Sequence, residues 1–329
     1  MTPGRALAFP RDEGSHPEFR VEWWYITGWL EDAARRPLGF QITFFRARPS
    51  RGSGNPSAFA PRQILIAHAA LSDPAHGKLI HEQRAARSAF DLAGAREDGL
   101  HVWLDDWLLR AEGAGYRAKI SGAALSLDLA FAPTQPTLLQ GESGYSRKGP
   151  RADAASYYYS QPHLAVRGEI ERSRKRETVQ GTAWLDHEWS SSYMDERAAG
   201  WDWIGIHLDG GGALMAFRMR DAAGASLWAG ATLRTPGQPA RAYAADEVRF
   251  TSRRSWRSPR TGANYPVEWS VTVGDLAFEI MPLMDDQEND TRLTTGAIYW
   301  EGAVRASHGG KTVGCGYLEL TGYWRRLRL

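Results

Sequence analysis

The chain has 329 residues, long enough for a large core and for two domains, and its 40 Lys and Arg against 38 Asp and Glu leave a formal net charge of +2. That balance gives no field that would select nucleic acid, and the single Cys315 excludes an intramolecular disulfide or a cysteine-rich metal site. There is no run of about 18 apolar residues to form a transmembrane segment, nor a charged stretch followed by an apolar core at the start.

Residues 1–20 are turn-rich and read as an ordered approach to a first strand, VEWWYITGWL from Val21 to Leu30. A polar turn leads to Leu38–Arg48, giving a hairpin, and residues 49–62 form a long Ser, Gly, Pro and Asn loop. Strands are expected at Gln63–Ser72, near Phe90–Leu92, and at Leu100–Leu104, Trp107–Glu112, Tyr116–Ile120 and Leu125–Ala130. A loop at Thr134–Pro150 precedes Ser156–Ser160 and Leu164–Arg172. The second half reads as strands at Trp201–Leu208, Ala213–Arg220, Leu227–Thr232, Glu247–Thr251, Tyr265–Val273, Leu276–Pro282, Ile298–Val304 and Gly314–Tyr323. Gln83–Leu92 alone offers a helical period. The fold class is therefore all-β and antiparallel.

The two halves share a grammar. Glu22-Trp23-Trp24 followed by Phe45-Arg46 is answered by Asp202-Trp203 followed by Phe217-Arg218. The closing run ending Trp184-Leu185-Asp186 is answered by Tyr317-Leu318-Glu319. Two barrels related by internal duplication follow, residues 1–192 and 193–329, with Trp24 expected to superpose on Trp203 and Trp184 on Tyr317. The arginines at 46 and 218 are expected to brace aromatic rings.

The stretch from Gly181 to Arg220 joins these halves and carries the densest chemistry. At strand period Trp184, Asp186 and Glu188 share one face, and Leu185, His187 and Trp189 the other. Trp201, Trp203 and His207 likewise oppose Asp202. A carboxyl group in an aromatic, poorly solvated wall makes a general acid, because desolvation raises its pKa. The same pattern also suits a barrel seam whose indole N–H groups are satisfied by carboxylates. The nine His are scattered, with no His-x-His or His-x-x-x-His pair in this stretch, so a metal is not expected; no cofactor is expected either. Ser190–Ser192 lack a nucleophile elbow.

FPRDEGSHPEFRVEWWYITGWL, LGFQITFFR, SYYYSQP, GTAWLDHEWSSS, GWDWIGIHLDGG and YLELTGYW, in this order, resemble the AttH and carotenoid 1,2-hydratase (hydroxyneurosporene synthase) family. Its fungal relatives include pericyclic Diels–Alderase proteins. The resemblance implies two lipocalin-like barrels and a bound hydrophobic small molecule. For the bacterial members, labelled secreted hydrolases, it implies a removed leader, a periplasmic home and a transporter permease as partner. The hydratases' His-x-Trp pair falls on His187 and Trp189. Their Tyr-x-Asp pair, whose Asp protonates the alkene, falls where this chain has Ala216, Phe217 and Arg218. Asp202, Glu22 or Glu188 would then supply the acid beside His187. Trp24, Tyr25, Tyr158, Trp189, Trp201, Trp203 and His207 are the expected ligand contacts. Acid-promoted hydration or isomerisation of a polyene or lipid is the leading expectation. A non-catalytic carrier, a pericyclase and a hydrolase are the alternatives.

Overall fold

The computed structural model describes residues 1–49, 57, 60 and 62–327. Most of the expected loop 49–62 lies outside the described residues. The aromatic and β-branched runs form antiparallel strands throughout, and two three-residue 3-10 turns are the helices among the described residues.

The first sheet has thirteen strands. At its centre, Val21–Glu31 pairs with Pro37–Ala47 on one side and Lys175–Ser192 on the other. Ala155–Arg172 follows, then a meander from Leu125–Pro133 back to Ala93–Ala95. The opposite edge, Ile80–Arg87, precedes Ala93–Ala95 in the chain, so the sheet curls into a nearly closed barrel. The second sheet has ten strands, with Gly200–Leu208 central between Gly212–Arg220 and Lys311–Leu320. Its other main strands run from Ala297–His308 to Val248–Arg257. Each sheet encloses its own apolar core.

Several expectations give way: Phe90–Leu92 is a turn and the strand there begins at Ala93, while the Thr134–Pro150 loop carries two short strands, Leu138–Leu139 and Tyr145–Arg147. Gln83–Leu92 is not a helix; Ile80–Arg87 is an edge strand, where pairing with Ile64–Ser72 outweighs a weak helical period. Ser156–Ser160 and Leu164–Arg172 are one strand, interrupted by a bulge between Gln161 and Leu164.

The register corrects the proposed superposition. Glu22 faces Arg46 across the first hairpin as Asp202 faces Arg218 across the second. Trp23 stands opposite Phe45 and Glu188, and Trp203 opposite Phe217 and Glu319. Trp203 therefore answers to Trp23, not Trp24, and Tyr317 to Asp186, not Trp184. Strand alternation makes the first correction decisive, because a one-residue slip turns a side chain to the other face.

A third apolar cluster lies where the outer faces of the two sheets meet, including Tyr25, Trp29, Trp184, Trp203, Met215, Phe217 and Tyr317. Trp29 crosses this junction to donate its Nε1–H to the Gly316 carbonyl at 2.8 Å. Close approach also needs Gly39: a Cβ there would lie 2.5 Å from Ala303 Cβ and 3.2 Å from the Tyr317 hydroxyl. Gly39→Val should therefore wedge the sheets apart at a cost of about 1–3 kcal/mol. Thermal unfolding checks this, and an unchanged melting temperature would show that the sheets do not close over this glycine.

Candidate functional site: a cavity between the sheets

A cavity of about 300 Å³ opens within the junction, at the lower end of the range for small-molecule sites. Strand alternation decides what faces it. Val21-x-Trp23-x-Tyr25 and Thr43-x-Phe45 come from the first hairpin, Asp186-x-Glu188 from the strand beside it, and Tyr158 from the next. The second sheet supplies Trp201-x-Trp203, Tyr299-x-Glu301 and Glu319. Aromatic rings thus form the walls, and carboxyl groups are the main polar feature. A larger groove of about 720 Å³ runs between the turns near Gln135 and Pro236. It is open, and the one cation among its described lining residues, Arg234, is engaged by the Pro136 carbonyl and Gln135; the smaller cavity holds the chemistry.

Asp186 accepts from Trp184 Nε1 at 2.6 Å, from the Tyr158 hydroxyl at 2.7 Å, and from Ser160. Burial dominates these bonds and, with the charge of Glu188 nearby, pushes its carboxyl up to about 7. Tyr158 also accepts from Trp203 Nε1 at 3.1 Å, so one phenol links the carboxyl to the opposite wall. Glu319 is likewise pushed up to about 7 by burial, although Trp201 Nε1 donates to it at 2.8 Å. Glu301, register-paired with Glu319 on the neighbouring strand, is raised well above the usual range by burial and by that neighbour. Glu188 differs: Lys148 sits 2.8 Å away, and burial raises the carboxyl while the ammonium opposes it.

A second polar cluster lies inside the first barrel, on the opposite face of the same strands. Glu22 is wholly buried and accepts from Arg46 Nε at 2.7 Å, the His16 backbone N–H and Ser15 Oγ. Burial would raise its pKa, but hydrogen bonds to His16 and His187, and the charges of His187 and Arg46, hold it well below the carboxylate range. Arg46 also donates to the His16 and Phe19 carbonyls, so it ties the N-terminal segment into the barrel. One nitrogen of each of His16 and His187, with a Glu22 oxygen, converges within 4.8 Å, as metal ligands would. Asp12 buttresses His16 Nε2 at 2.9 Å in the manner of an outer-shell partner. The carboxylate, however, is already committed to the Arg46 guanidinium, which would repel a cation. The group fits a hydrogen-bonded buttress better than a metal centre. Spacing could not reveal it, because His16 and His187 are far apart in sequence.

The expected site residues divide between these places. Tyr25, Tyr158, Glu188, Trp201 and Trp203 border the cavity. His187, Trp24 and Trp189 belong to the barrel interior: Trp24 stacks on His187 at 4.7 Å and Trp189 on His16 at 3.8 Å. Glu22 reaches the cavity's edge, but its carboxylate is enclosed by the partners above. Asp202 is fully buried in the second barrel, bonded to Arg218 at 2.6 Å, Arg220 at 3.3 Å and the Tyr323 hydroxyl at 2.9 Å. His207 lies beside His163 and Trp184, away from the cavity-lining residues. As for the braced aromatics, Arg218 does stack on Trp269 at 4.9 Å, whereas Arg46 holds a carboxylate and backbone carbonyls.

Lys148, Tyr193, Tyr299, Glu301 and Glu319 were not anticipated. Glu319 was within reach, since it is the counterpart of Glu188 and alternates with Tyr317. Lys148 comes from a loop and carries no pattern.

Two curled antiparallel sheets whose outer faces enclose an aromatic-walled, carboxyl-lined cavity define a two-sheet class of all-β protein. Within it the chain belongs to the AttH-like family, whose model matches residues 1–323. The crystal structure of a candidate AttH from Nitrosomonas europaea is 53% identical, covers 98% of each chain and gives a TM-score of 0.92. Kievitone hydratase from Nectria haematococca gives a TM-score of 0.72 at 14% identity, covering 97% of this chain and 94% of its own. CghA gives 0.55 at 14% identity, covering 93% and 88%. The last two show a shared fold. None of the curated proteins matches in sequence.

Two outcomes follow from these clusters. Arg46→Met should cost about 3–5 kcal/mol, because it strands a buried carboxylate. Adding Glu22→Gln should then cost less than the sum of the single changes, and strict additivity in denaturant melts would show the pair uncoupled. For Asp186, the unfolded chain releases its proton near 3.8 and the folded chain near 7. Stability should therefore fall as pH rises between those values and level off above them. Asp186→Asn should lack its share of this fall while Glu319 and Glu301 keep theirs, so the stability of wild type relative to the variant should drop across this range. A wild-type advantage that grows with pH would mean the folded carboxyl is already ionised.

Proposed function

We propose that this protein binds an elongated, mainly apolar molecule in the cavity between the sheets and transfers a proton to it, promoting hydration or isomerisation of a carbon–carbon double bond. One observation carries the reading: Asp186 borders an aromatic cavity with its carboxyl poised near neutrality and linked to Tyr158. A general acid works best with a pKa near the working pH.

In this scheme the Asp186 carboxyl protonates one alkene carbon, and the positive charge develops on the other. The faces of Trp23, Trp201 and Trp203 stabilise that charge as they would another cation. Water then adds to the cationic carbon and returns a proton to the Asp186 carboxylate, completing hydration. Loss of a neighbouring proton to the same carboxylate completes isomerisation. Either route restores the acid. The likeness to kievitone hydratase fits this reaction class at the level of fold. Asp186 replaces Asp202 and Glu22 as the favoured acid, because those two are locked to arginines. Glu188, ion-paired to Lys148, is likewise set aside as the acid.

Native mass spectrometry of freshly purified protein should identify a co-purifying apolar molecule. With that molecule as substrate, Asp186→Asn should lower turnover by about 10²-fold or more while binding stays within a few-fold. Wild type that retains the molecule but never converts it would establish a carrier instead.

A further inference from the structure

Resting on the cavity as the ligand site, the geometry points to a ligand with one cationic nitrogen, an ammonium or substituted ammonium, seated against Glu301 and Glu319. Carboxyl groups outnumber the cations available to them. Among the described residues lining the cavity the permanent cation is Arg46, which is spent on Glu22. Lys148, just behind the wall, is spent on Glu188. Glu301 and Glu319 stand opposite each other on paired strands, and among the described residues neither forms an ion pair with a cation.

Glu301 gives the sharper sign. It is 2% exposed, and its Oε1 has no hydrogen-bond partner among the described residues. The Tyr25 hydroxyl is also without a partner by distance and angle, while it and the Tyr299 hydroxyl lie near enough to Glu301 to hold its pKa down against burial. A buried acceptor left empty costs free energy. An ammonium N–H entering the cavity would satisfy Glu301 and sit among the rings of Tyr25, Trp201, Trp203 and Tyr299. The protein already treats one ammonium this way: Lys148 Nζ lies 4.2 Å from the Phe217 ring centre, 4.8 Å from Tyr158 and 5.3 Å from Tyr193.

The other groups facing the pair do not supply the missing charge. Burial holds His68 neutral, down at about 3, and its ring bonds Tyr299 and Thr294. Burial keeps the Tyr25, Tyr299 and Tyr317 phenols un-ionised. Glu188 and Asp202 add negative charge around Glu319, and Asp186 does so once ionised. Without a ligand, protons occupy the pair; an incoming ammonium displaces one to solvent. Affinity for a cation therefore rises with pH through neutrality. A neutral ligand accepting hydrogen bonds from the protonated carboxyls would show the opposite trend.

Titration calorimetry with decylamine, decanol and decanoate, in two buffers of different ionisation enthalpy, separates these cases. Decylamine should bind about ten-fold tighter than decanol near neutral pH, release protons, and gain affinity as pH rises, with decanoate weakest. Glu301→Gln and, independently, Glu319→Gln should each shrink the amine's advantage over decanol. Equal affinities, proton uptake, or an advantage surviving in both variants would overturn the cationic assignment alone. Failure of all three probes to bind would remove the ligand site on which it rests.

Discussion

Burying carboxyl groups without matching cations is the constraint on which this molecule turns. A buried carboxylate is costly unless paired, and the protein treats its carboxylates in two ways. Inside each barrel, Glu22 and Asp202 are neutralised by Arg46 and by Arg218 with Arg220, and these pairs hold local structure. Between the sheets, Asp186 and Glu319 have aromatic neighbours and hydrogen-bond donors, Glu301 Oε1 has no donor, and among the described residues none of the three has a dedicated cation. Their protons stay on near neutral pH, where they can be given up or exchanged for another positive charge.

Duplication explains how one strand pattern yields both treatments. The pairs Glu22–Arg46 and Asp202–Arg218 occupy equivalent inward positions, and Glu188 and Glu319 equivalent outward ones. The halves then diverge. His187 and Trp189 lie inside the first barrel where Leu318 and Leu320 pack in the second. On the outer face Glu188 acquired Lys148, whereas Glu319 faces Glu301. The cavity is thus assembled from two copies of one surface, made unequal by what each neighbour provides.

Much of this was legible in the sequence. Strand spans followed from aromatic and β-branched runs, and alternation sorted Asp186 and Glu188 from His187 and Trp189. Which face met the other sheet was not legible, because both carried chemistry in a pattern compatible with catalysis. The family's His-x-Trp pair drew attention to the barrel interior, yet Trp24 and Trp189 there stack on histidines. Glu301 went unremarked because its meaning depends on Glu319 beside it, a register that local sequence does not fix. His16 and Lys148 come from non-strand segments, where no period constrains a side chain. The slip of one residue between Trp24 and Trp203 arose because two adjacent tryptophans offer two registers of equal apolar content.

The protonation state of the buried carboxyls is the quantity on which the account stands. Carboxyl-selective ¹³C NMR, assigned through Asp186→Asn and Glu319→Gln, reads it directly in the folded protein. Asp186 and Glu319 should titrate with midpoints close to neutrality and remain largely protonated at mildly acidic pH. Both resonances already at their ionised shifts there would contradict the account, since the cavity would then hold fixed negative charge and no proton to give.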